Sequence, residues 1–377
     1  MKPKVFNILA LCCCILFTGF TSQASELSTV LKTEYTKNFN KTFDVAPTDK
    51  FIVSNRYGKI DIQTWNESKV QVDVLVKVNA RSKEAGDAML ERIQITFDQG
   101  GDYTSAITEI ADKQSSWGSW WSGSSSDDFQ INYTVKMPVE HSLDLSNKYG
   151  HSYVASFGGS GKFSVKYGDL NANDVGREVV LYLGYGNGTF LNTSDVEAEI
   201  KYSKLRMGDV GHVNLNSKYS KLTFNHTKNL KSVSGYDNFT IGGLDNLNYD
   251  GKYSDINIES ANHLKVYSKY TNLTIGTCAN GLDVELSYGG IKVEELGPTF
   301  DKVDISGSYS GIKIGIHSDA TYSLNATTKY AGLSYPSGMD VRRDIQSGQS
   351  KEITGSKGSN PSSSIKINSS YGSVKVW

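Results

Sequence analysis

Asp283, Glu285 and Asp304 form the acidic group in this 377-residue chain whose spacing comes nearest to chemistry. Asp283 and Glu285 are two residues apart and so share one face of an extended strand. Asp304 recurs one sequence repeat later. Two carboxylates so placed could act as acid and base on a glycosidic bond, or hold a calcium ion. With Lys265 one repeat earlier, they are equally a solvated, charge-paired face. The six histidines, His141, His151, His212, His226, His263 and His317, occupy different columns of the repeat. No H-x-x-x-H or H-E-x-x-H spacing supports zinc. There is no G-x-S-x-G elbow, phosphate-binding loop or dinucleotide fingerprint. No catalytic, cofactor-binding or metal residue is therefore expected.

The elements that would position any site are set by tyrosines. Tyr149, Tyr167, Tyr185, Tyr202, Tyr219, Tyr236, Tyr253, Tyr270, Tyr288, Tyr309 and Tyr330 recur at steps of 17 to 21 residues. Tyr371 follows after 41, close to two further steps, and Tyr57 reads as an isolated earlier copy. A fixed period of this length marks a solenoid of stacked coils. Apolar residues alternate before each tyrosine (Leu264, Val266) and after it (Leu273, Ile275), with a small residue next to the ring. This predicts two short strands around a corner in each coil. By parity the tyrosines share the inward face, forming a structural ladder of rings. Lys148, Lys166, Lys201, Lys218, Lys252, Lys269 and Lys329 precede their tyrosines on the opposite face. That stripe is either simple solvation or a docking edge for an anionic polymer. The fold class is thus all-β: a right-handed, parallel β-helix-like solenoid, a rod of about 60 Å.

Residues 1–24 read as a signal peptide, with Lys2 and Lys4 before an apolar run and small residues ending at Ala24. The run is short for a membrane anchor, and no residue before Cys12, Cys13 or Cys14 suits a lipobox. Cleavage removes two of the 39 basic residues, leaving 37 against 40 acidic ones. No overall field argues for nucleic acid. Membrane contact is expected only through the cleaved segment. Cys278 is then the one remaining cysteine, and a buried filler role is expected.

Residues 25–139 leave the repeat and read as a β-rich cap with one short helix at Ser82–Ile93. Its Ala85, Ala88, Met89 and Ile93 should face the core. Residues 140–377 form the solenoid, with a flexible insertion near 340–364 that includes Gly355–Ser364. Trp117, Trp120 and Trp121 sit in a Gly/Ser-rich stretch with no apolar partners, as a possible partner contact or as part of the cap.

The stretches SNRYGKIDIQTW, YTVKMPVEHSLDLSNKYG, YGGIKV and YSGIKI, with the secretion signal, resemble a bacterial extracytoplasmic group of adhesin-like proteins, the head-GIN-domain type among them. The resemblance covers roughly residues 45–377. It implies a β-solenoid at the periplasm, outer membrane surface or outside the cell, without catalytic residues. The expected function is non-catalytic binding of glycan, matrix or an envelope protein, with no cofactor. The alternative is a polysaccharide lyase or glycosidase on a β-helix.

Overall fold

The computed structural model describes residues 32–111 and 128–377. The signal segment and Trp117, Trp120 and Trp121 lie outside the described residues. Central coils are built from the strands Asn187–Lys201, Lys204–Lys218, Lys221–Gly235, Asn238–Lys252 and Asp255–Lys269. Each pairs in parallel with the next, in register along its length. Two residues, the tyrosine and a small neighbour, separate successive strands and complete the 17-residue period.

The two short strands expected per coil occur only in outer coils, such as Ser142–Lys148 and Ser152–Val154. In the centre one strand runs through. Along Lys204–Lys218 the buried residues are Leu205, Met207, Val210, Val213, Leu215 and Ser217. Where the step is three rather than two, a pair of neighbouring residues faces out. The strand bends there, and the ladder skips one residue pair at each bend, as at Gly208 and Gly211, before it resumes in the same register. The inward columns stack into one continuous apolar core along the solenoid.

The tyrosines do not point inward. From Tyr149 to Tyr371 all twelve expected rungs are 41–57% exposed. Each has a positive φ, as does Tyr57, between 52° and 62°. Counting parity assumes an extended backbone, and a residue in the left-handed region breaks the count: its side chain swings outward while the next residue turns in. An L-residue there costs about 1–2 kcal/mol, so every rung carries a local cost that its contacts must offset.

Tyr57 is the first rung, not an isolated copy. Lys50–Arg56 and Ile60–Trp65 pair in parallel with Ser142–Lys148 and Ser152–Val154. The solenoid therefore starts ahead of the boundary expected at 139/140, and most of the front region is inserted between its first two coils. From that insertion, Tyr103–Ile110 and Asp128–Pro138 pair with the outer edge of the first coil. Lys69–Ala80 joins Asp128–Pro138 to Thr33–Asp44 in an antiparallel sheet. An open strand edge invites association, and this layer covers it. The helix is Lys83–Arg92, with the Ser82 hydroxyl accepting from the Ala85 N–H. Gly86, Met89 and Leu90 are its buried residues and Ile93 follows them; Ala85 and Ala88 are exposed, contrary to the sequence pattern.

At the far end the chain doubles back. Ser363–Ser370 pairs with Lys302–Ile316 on one side and Tyr322–Lys329 on the other. The last coil thus lies between two coils that are consecutive in sequence, and the 41-residue step is not two further rungs. The segment expected to be a flexible insertion contains an antiparallel hairpin, Asp340–Ser347 with Ser350–Lys357. Its second strand pairs with Tyr322–Lys329 and covers that edge.

Candidate binding surface: the tyrosine row and its basic edge

Thirteen tyrosine rings form one row, in the spatial order Tyr57, Tyr149 through Tyr309, Tyr371, Tyr330. Neighbouring centroids are 4.7–5.1 Å apart and neighbouring planes within 3–12° of parallel. This spacing is set by the strand separation of about 4.8 Å. Each stacked pair contributes about 0.5–1.5 kcal/mol beyond area burial, which offsets part of the cost of the left-handed backbone, the ring area buried between rungs adding to it. The faces of the rings are spent on one another. At one end Phe129 lies edge-on to Tyr57 at 5.2 Å. The row presents ring edges and hydroxyls to solvent. Burial against neighbouring rungs, with the phenols of Tyr253 and Tyr219, holds the Tyr236 hydroxyl above its ordinary pKa.

The residue after each tyrosine makes the corner possible in one of two ways. At Gly150, Gly168 and Gly186 a side chain would run into the backbone carbonyl of the coil below. In the central coils a hydroxyl turns inward instead. Ser203, Ser220 and Ser254 each donate to the carbonyl two residues back, at 2.7, 2.8 and 3.2 Å. They accept backbone N–H groups from the preceding coil: Gly186 onto Ser203, Ser203 onto Ser220, Asp237 onto Ser254. Asp237 holds the same position and is 4% exposed. Its carboxylate accepts from the Ser217 and Ser234 hydroxyls at 2.7 and 2.6 Å, and from the Ser220 and Gly235 N–H groups at 2.7 and 3.2 Å. Four donors compensate a buried charge. Asp237 thus belongs to the interior of the corner, although it stands one residue past its tyrosine, close in sequence to the basic column. An Asp where every other coil has Gly, Ala, Ser or Thr was the available signal.

The column before the tyrosines is basic at eight rungs: Arg56, Lys148, Lys166, Lys201, Lys218, Lys252, Lys269 and Lys329. In register, Lys148 lies beside Lys166, Lys201 beside Lys218, and Lys252 beside Lys269. Gly184 and Gly235 separate the three pairs. The Lys148 ammonium lies over the Tyr149 ring, 4.9 Å from its centroid, and Lys201 is paired with Glu199. Among the described residues Lys166, Lys218, Lys252, Lys269 and Lys329 have no ion pair. Two unit charges about 5 Å apart in water repel by only about 0.8 kcal/mol. The stripe is tolerable in solvent, yet it concentrates one sign of charge along a line. Past the rings, Asn187, Lys204, Lys221, Asn238 and Asp255 form the far wall of a shallow groove of about 760 Å³.

The acidic group is a charge-paired face. Asp283 and Asp304 are in register on neighbouring coils. Lys265 pairs with Asp283 at 3.7 Å and Lys302 with Asp304 at 3.3 Å. Glu285 lies between Tyr267 and Ser306. Among the described residues no group of three metal-ligating side chains converges. The histidines do not converge: His212 and His263, expected in different columns, share one but stand three coils apart, His151 contacts Asp169, His212 contacts Asn229, and His141 is buried with its Nδ1 3.1 Å from the Pro47 carbonyl. Cys278 is buried in an inward column, and burial pushes its thiol up to about 11.

No family model matches the chain, and no curated protein matches it. Solved structures similar to it include a "putative cell adhesion protein" from Clostridium sporogenes, 11% identical over 91% of this chain and 99% of that one, with a TM-score of 0.20. A "putative adhesin" from Bacteroides fragilis is 13% identical over 74% and 97%, with a TM-score of 0.26. A "putative lipid binding protein" from Parabacteroides distasonis is 8% identical over 75% and 94%, with a TM-score of 0.25. With scores this far below 0.5, the architecture rests on the strand pairing described above. The structural neighbours of this chain are thus named mainly as adhesins, from several bacteria.

Proposed function

We propose that this is a non-catalytic, extracytoplasmic binding protein that contacts glycan, matrix or an envelope protein along its tyrosine row. The single observation that carries this reading is the row itself: twelve exposed rings, with half-buried Tyr57 at one end, stacked side by side on the solenoid and flanked by a basic column. Large side chains held in place lose little freedom on binding, which favours recognition. The left-handed backbone turns these rings out, where a structural role alone would be served by burial. Export rests on the signal segment in residues 1–24. The test is retention of the full chain on intact cells and on a polysaccharide panel, with released sugar ends measured in parallel. Retention without product, lost in the variant Tyr219→Asn, Tyr236→Asn, Tyr253→Asn, is expected. Asparagine tolerates the left-handed conformation, so the corner persists. Release of oligosaccharides, abolished by Asp283→Asn, would replace this reading with the enzyme alternative. Trp117, Trp120 and Trp121 are proposed as a second contact; their joint replacement by Ser should weaken binding and leave the melting temperature unchanged.

A further inference from the structure

Resting on that reading, we infer that the ligand class of the row is an extended acidic polysaccharide lying lengthwise along the tyrosine edges and the basic column. Charge supplies the first argument. The whole chain has a formal charge of −1, yet the column before the rings is basic at eight rungs and acidic at none. The field is therefore local and linear, and it matches a linear polyanion rather than a compact anion.

The second argument is availability. Acidic side chains neutralise lysines on the outward column two places further from the rings, as Asp144 does Lys162 and Asp283 does Lys265. Among the described residues, Lys166, Lys218, Lys252 and Lys269 have no such partner. Lysines come in adjacent pairs, and nothing lies within 4 Å of where a side chain on Gly235 would begin. Between the pairs the edge is notched, which leaves room for the bulk of a sugar ring while its acid groups reach the ammonium groups on either side.

The third argument separates polysaccharide from single-stranded nucleic acid, the other common linear polyanion. Nucleic acid is held by stacking bases on open aromatic faces. Here the faces are closed, with planes within 3–12° of one another at 4.7–5.1 Å along the row. What remains are phenol hydroxyls at regular intervals, which donate to and accept from the hydroxyls of a sugar chain.

The experiment uses the full chain, with immobilised polygalacturonate as the acidic probe. Uncharged dextran, a single-stranded oligonucleotide and anionic phospholipid vesicles are the comparisons. Polygalacturonate should be retained best, and its apparent Kd should rise by about tenfold or more between low and moderate salt as counterions compete. The variant Lys218→Gln, Lys252→Gln, Lys269→Gln should weaken retention by about tenfold, at an unchanged melting temperature. A control, Lys162→Gln, Lys231→Gln, Lys265→Gln, removes the same charge from another column and should bind as the parent does. Equal retention on dextran, preference for the oligonucleotide or vesicles, or equal losses in both lysine variants would overturn the inference. The tyrosine-to-asparagine variant separates the two levels. If it loses binding while the lysine variant does not, the row is the site but its ligand is not acidic. If neither loses binding, the row itself is not the site.

Discussion

The ring of Tyr371 stacks on that of Tyr309, with centroids 4.7 Å apart and planes within 4°. Its other face meets Tyr330 at 4.8 Å. Tyr309 and Tyr330 are consecutive rungs in sequence, yet the C-terminal coil separates them. That coil is held by parallel pairing on both sides, and its Ile365 and Ile367 are fully buried.

The C-terminal coil should therefore be integral to the solenoid. Ile367→Ala removes a fully buried side chain and should cost about 2–4 kcal/mol. Ending the chain after Lys357 should expose two strand edges and promote association. Urea unfolding and light scattering check the two outcomes. An unchanged midpoint in the point variant would count against the intercalated order.

Asp237→Ala should cost about 2–4 kcal/mol, because two buried hydroxyls and two N–H groups lose their acceptor. Asp237→Ser should cost less, since Ser220 and Ser254 fill the equivalent position in adjacent coils. Denaturant midpoints of the two variants supply the comparison, and a reversed order would contradict the corner network.

Inward-facing tyrosines would make Tyr253→Ala a cavity mutation. The ring is 42% exposed and stacked on both faces, so two stacking contacts are lost and no cavity forms. The expected cost is about 1–3 kcal/mol. Tyr253→Gly should be no worse than alanine, because glycine takes a φ of 56° freely. Calorimetry on the pair checks this.

His141 makes stability pH-dependent. Burial lowers its pKa from the ordinary value near 6.5, against smaller raising effects from the Pro47 carbonyl and Asp49. The unfolded chain then takes up a proton near pH 6.5 while the folded imidazole resists it. The contribution is complete above about pH 6.5 and declines as pH falls toward the folded value. Melting temperatures between pH 7 and 5 should fall less steeply in His141→Gln than in the parent.

Cys278 should be inert in the folded protein. With its thiol pushed up to about 11 and buried, almost no thiolate exists at pH 8. Labelling by an aromatic disulfide should await unfolding, and rapid native labelling would place the residue elsewhere.

Period, strand content and most inward columns are legible in the sequence alone. Each coil solves the same local problem, so Leu222 and Phe224, or Ile291 and Val293, repeat the same alternation. The acidic group could also be read as charge-paired, because Lys265 stands one period before Asp283. The direction of the tyrosines could not be read this way. A single left-handed residue reverses the parity that strand counting relies on, and nothing in the letter Tyr announces a positive φ. Coil order at both ends was likewise beyond local pattern. Tyr57 joins Tyr149 across an inserted sheet, and Tyr371 enters between Tyr309 and Tyr330, because unpaired strand edges accept any segment with the matching register. What was read as a buried ladder became an exposed row through backbone conformation at one residue per coil, and only the stacked coils bring those rings within contact of one another.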